Sequence, residues 1–70
     1  MSEPNKSREL VVSLTGLSVE EKGDAHLLVY RLGSQIEIVV IEENGADASV
    51  LLFEEQARAI ASALRANLDK

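Results

Sequence analysis

The sequence predicts an α+β fold, a four-stranded antiparallel β-meander followed by one C-terminal amphipathic helix packed on one sheet face (ββββα). Three observations carry it. Apolar residues recur with period 2 through four short runs, Gly-containing turn signals separate those runs, and from Glu54 onward the apolar spacing changes to the 3.6 of a helix.

Residues 1–8 hold Pro4 among polar neighbours and no apolar anchor, so they read as a disordered N-terminal tail ahead of one domain over 9–70. The first strand lies in RELVVSLTGL, where Leu10, Val12 and Leu14 alternate with Val11, Ser13 and Thr15. SVEEKGDA follows as a turn or longer loop with Lys22-Gly23-Asp24 at its tip, and AHLLVYRL is the second strand. Gly33-Ser34 then breaks two apolar runs, and Gly at the first position suits a type II′ hairpin turn. QIEIVVIEE forms the third strand. Asn44-Gly45 signals a two-residue type I′ turn, which needs φ > 0 at both central positions, and a fourth strand runs from about Asp47 to Phe53.

In the helix, Phe53, Ala57, Ile60, Leu64 and Leu68 form one apolar stripe, with Glu54, Glu55, Arg58, Ser62 and Arg65 opposite. Five alanines raise helix propensity, the two glutamates complement the N-terminal dipole, and Glu54 with Arg58 makes an i,i+4 pair. Phe53 occupies the place of a Ser, Thr or Asp cap. A missing cap costs about 1 kcal/mol, whereas burying a ring contributes about 1.5–3 kcal/mol. Phe53 is therefore expected to be the last inward residue of strand four, with its ring packed under the helix.

The two turns set the pairing register, and register sets which side chains share a face. A two-residue turn at Gly33-Ser34 places Leu32 opposite Gln35, Tyr30 opposite Glu37, Leu28 opposite Val39 and His26 opposite Ile41. A two-residue turn at Asn44-Gly45 places Val39 opposite Val50 and Ile41 opposite Ala48. One face then gathers Leu28, Tyr30, Leu32, Val39, Ile41, Val50 and Leu52, and the other Leu27, Val29, Ile36, Ile38, Val40, Leu51 and Phe53. The same register sets Glu42 against Asp47, and that like-charge pair argues for a looser ENGADA loop that slips strand four by one residue and swaps its faces.

Either way the third strand is apolar on both sides, and one helix covers one face, the one that leads to Phe53. The face of Leu28, Tyr30, Leu32, Val39, Ile41, Val50 and Leu52 is left as an interface. A second copy packed sheet on sheet about a twofold axis is the expected cover, with a hetero-partner or the first strand folded across that face as alternatives.

Composition points the same way. A 70-residue chain buries only about 60% of its unfolded surface, and with no Cys and one His neither disulfides nor a structural metal is available as reinforcement. Association with another chain remains. The polar MSEPNKSR start has no signal-peptide core and no apolar run is long enough to cross a membrane, so a cytoplasmic protein with no membrane partner is expected. Twelve acidic against seven scattered basic residues give a formal charge of −5, which repels phosphate and argues against nucleic acid.

Catalytic chemistry is sparse. His26 is the sole base near neutral pH, its pairing with Asp24 makes a poor metal site, and no phosphate-binding glycine motif or zinc spacing occurs. The acid pairs Glu20-Glu21, Glu42-Glu43 and Glu54-Glu55 sit at turns or the helix start and read as solvated. No enzyme, cofactor or metal is expected.

The stretch SVLLFEEQARAIASAL resembles the strand, L-x-x-E-Q-A and alanine-rich helix that end small bacterial and phage proteins of unknown function, a resemblance covering the C-terminal third of the chain. The order of four antiparallel strands and a helix is similar to the single-stranded-DNA-binding positive-coactivator domains, which dimerise and grip DNA with basic and aromatic residues. Here the aromatics are Tyr30 and Phe53 and the strands carry no basic cluster, so that resemblance implies topology rather than activity.

The function expected is a non-enzymatic protein-interaction module acting as a homodimer. One alternative is an acidic decoy or inhibitor, of phage origin if the resemblance extends that far, that turns Glu20, Glu21, Asp24, Glu42, Glu43 and Asp47 toward a basic nucleic-acid-binding protein. The other is single-stranded nucleic-acid binding by analogy of fold.

Overall fold

The computed structural model describes residues 8–20 and 23–69. Over these the chain forms β1 (Arg8–Leu17), β2 (Asp24–Leu32), β3 (Gln35–Glu42), β4 (Asp47–Leu52) and α1 (Glu54–Leu68). The strands make one open antiparallel sheet in the order β1-β2-β3-β4. Glu21 and Lys22 of the first loop, and residues 1–7 and 70, lie outside the described residues. Arg8, assigned to the tail by composition, is the first residue of β1.

The β2–β3 hairpin turns at Gly33-Ser34 with Gly33 at φ 63, a conformation glycine adopts without a Cβ penalty. Its register is the expected one, with Leu32 opposite Gln35, Tyr30 opposite Glu37, Leu28 opposite Val39 and His26 opposite Ile41.

The β3–β4 hairpin corrects the two-residue turn. Gly45 N–H donates to Glu42 O at 2.9 Å, Glu42 N–H donates to Ala46 O at 2.8 Å, and Gly45 has φ 98. That is a three-residue loop, Glu43 to Gly45, built as a type I turn closed by a left-handed glycine. Asn44 Oδ1 accepts from Ala46 N–H at 2.9 Å and stiffens it. The odd loop slips β4 by one residue, so Val39 lies opposite Ser49, Ile41 opposite Asp47 and Ile38 opposite Val50. It also separates Glu42 from Asp47, removing the like-charge pair.

One further departure concerns β1. A bulge between Leu10 and Val12 shifts the alternation, so Leu10 pairs with Tyr30 while Val12 pairs with Val29. As the expected meander has it, β1 extends the sheet beside β2, which removes the alternative in which it folds across a face.

Phe53 caps α1 in an extended conformation (φ −80, ψ 166), and its N–H donates to Gln56 Oε1 at 2.9 Å. The Gln56 side chain thus reaches back as in one half of a capping box. Phe53 is not packed under the helix: it is 62% exposed. It lies one residue beyond β4, whose last residue, Leu52, pairs with Ile36.

Among the described residues no apolar side chain is buried. The buried residue is Ser18, which donates its N–H to Gly23 O at 2.7 Å and its hydroxyl to Glu42 Oε2 at 3.5 Å. The Cα radius of gyration is 14.0 Å, against about 11 Å for a compact chain of this length. One sheet layer with a helix at its corner accounts for that spread.

Candidate interaction surface

Strand pairing assigns every described sheet residue to one of two faces. The first carries Leu28, Tyr30, Leu32, Val39 and Ile41, all half-buried, as the sequence grouped them. Val50 and Leu52 do not belong with them. The slipped register moves both to the second face and brings Asp47, Ser49 and Leu51 to the first.

The first face is therefore mixed. Ser13 and Thr15 of β1 and Asp47 and Ser49 of β4 flank its apolar centre. At one end Arg8 lies 3.8 Å from the Tyr30 ring centroid and 3.3 Å from Glu37 Oε1, so a charged side chain shields the aromatic. At the other end Thr15 Oγ1 and His26 Nδ1 are 3.1 Å apart across the β1–β2 ladder. A hydroxyl beside an imidazole is the start of a nucleophile–base pair, yet both groups are exposed and no third described residue hydrogen-bonds His26 to orient it.

The second face is apolar across all four strands: Val12 and Leu14, then Leu27 and Val29, then Ile36, Ile38 and Val40, then Ala48, Val50 and Leu52. Its polar residues stand at the two ends, where Arg31 pairs with Glu9 at 3.1 Å and Glu42 accepts from Ser18. Both edge strands alternate, and the odd loop and the bulge together turn their polar sides to the same face. The slip of β4 is the one that the Glu42–Asp47 clash argued for, whereas the bulge in β1 has no signature in hydrophobic period.

The helix shelters little of this second face. It meets the sheet at a corner, where Glu54, Ala57, Arg58 and Ala61 line a shallow cleft with Arg31, Gly33, Ser34 and Ile36. Ala57 is the one helix residue among those described that is even half-buried, while Leu64 is 57% and Leu68 79% exposed. Glu54 and Arg58 pair along that cleft.

Charge is distributed unevenly along the strands. The β1–β2 loop and the β3–β4 turn meet at one end, joined by Glu43 N–H donating to Asp24 O at 3.2 Å. This end collects Glu20, Asp24, Glu42, Glu43 and Asp47 with no described cation among them, whereas at the opposite end Arg8, Arg31 and Arg58 are balanced by Glu37, Glu9 and Glu54. Among the described residues no group of three or more His, Cys, Asp or Glu converges to hold a metal ion, and no helix is long and apolar enough to cross a membrane. No known protein family, curated protein or solved structure matches the chain.

Proposed function

We propose that this protein is a non-enzymatic interaction module that works as a homodimer. The observation that carries the reading is the absence of any buried apolar side chain among the described residues. Twelve large apolar side chains there are 36% to 96% exposed. At roughly 100 Å² of apolar surface for a fully exposed side chain, these fractional exposures place on the order of 700 Å² in water, spread over both faces and the helix. A standard interface removes about 800 Å² from each partner, an area of the same order. A second chain is what this fold lacks to acquire a core.

Sedimentation equilibrium at micromolar concentration tests it. The expected mass is twice the 7.6 kDa of the chain. A folded species of single-chain mass overturns the reading.

The convergence of Glu20, Asp24, Glu42, Glu43 and Asp47 on one end favours a second reading, in which that end engages a basic surface of another protein. It requires capture of a basic, nucleic-acid-binding protein that weakens steeply with added salt. Capture that is insensitive to salt removes it.

A further inference from the structure

Resting on the homodimer reading, we propose which face joins the two copies and how they are oriented: they pack through the second sheet face, about a twofold axis that runs across the strands. Three observations combine. That face is apolar on every strand, with Val12, Leu14, Val29, Ile38, Val40 and Val50 as its body, whereas the first face carries polar residues on both edge strands and the Arg8–Tyr30–Glu37 cluster. Water-exposed apolar surface is greatest in need of cover where no polar group interrupts it.

Twofold symmetry makes the face its own partner, so it must be self-complementary. An axis along the strands would stack Glu20, Asp24, Glu42, Glu43 and Asp47 of one copy on the same residues of the other. An axis across the strands carries that acidic end to the far end of the partner sheet, where Arg8, Arg31 and Arg58 are each paired with a glutamate of their own chain, so the acidic ends of the two copies stand apart. The sheet is thus apolar in its middle and electrically asymmetric along its length, which suits a second copy in antiparallel orientation.

Val50 and Leu51 provide a matched test, because they are neighbours on one strand, both 51% exposed in the single chain, and on opposite faces. Val50→Arg is expected to raise the dimer dissociation constant at least 100-fold and Leu51→Arg less than 10-fold, with circular dichroism confirming that each variant is folded. The reverse order, or equal effects in a protein that remains dimeric, overturns the choice of face and leaves the homodimer standing.

Orientation is read separately. The chain has no cysteine, so Ser34→Cys gives a single spin-label site at the tip of the β2–β3 hairpin. An axis across the strands separates the two labels by roughly 30 Å, the length of the strands; an axis along them brings the labels within about 20 Å. The short distance overturns the orientation proposed, and a single-chain mass in either experiment removes the homodimer and this inference together.

Discussion

The Arg8 guanidinium stands 3.8 Å over the Tyr30 ring and 3.3 Å from the Glu37 carboxylate, so the first residue of β1 ties three strands together on one face. A cation over an aromatic is worth about 0.5–1 kcal/mol at an exposed site, and a partly exposed ion pair about 0.2–1 kcal/mol. Arg8→Ala is expected to lower unfolding free energy by about 1–2 kcal/mol, measured by urea titration at fixed protein concentration. Loss of less than a few tenths would show that the cluster contributes nothing beyond its geometry.

Gly45 and Gly16 should respond in opposite senses to alanine. Gly45 sits at φ 98, where a Cβ costs about 1–2 kcal/mol, so Gly45→Ala destabilises by that amount. Gly16 lies within β1 with no positive φ, and a Cβ added there would meet nothing within 4 Å, so Gly16→Ala gains about 0.4–1 kcal/mol through the unfolded chain. Thermal or urea midpoints of the two variants decide it.

Gln56→Ala removes the acceptor for Phe53 N–H and leaves one helix-start donor to water. The expected loss is about 0.5–1 kcal/mol, seen as a lower midpoint and reduced amide protection at Phe53 by hydrogen exchange. Unchanged protection would show that water replaces the glutamine without cost.

Phe53→Ser separates a lone chain from an assembled one. Serine supplies the missing cap, a gain of about 1 kcal/mol, and in a single chain the 62% exposed ring gives up little. In a dimer that covers the stripe of Phe53, Ile60, Leu64 and Leu68, loss of the ring costs about 1.5–3 kcal/mol and outweighs the cap. A lower midpoint is expected. A higher one means the ring stays in water in the working protein.

Salt should leave self-association intact. Each chain carries a formal charge of −5, and added ions screen the repulsion between copies while burial of apolar surface persists. From low salt to about 0.5 M the dimer dissociation constant is expected to stay level or fall. A steep rise would assign the association to ion pairs instead.

Hydrophobic period and turn chemistry made the elements legible in the sequence. The switch from period 2 to 3.6 located α1 at Glu54, Gly33-Ser34 set the β2–β3 register pair for pair, and the Ile36–Ile41 run showed a strand apolar on both sides. These are local properties, written within a few residues of where they act. What only the tertiary structure decided is which sides of β1 and β4 share a face and how far α1 covers the sheet. A loop of three residues instead of two at Glu43 to Gly45 and a bulge at Val11 each exchange the faces of a strand without altering its period. Such choices are settled by pairing between strands, including the relief of Glu42 from Asp47, and so have no signature in any one of them.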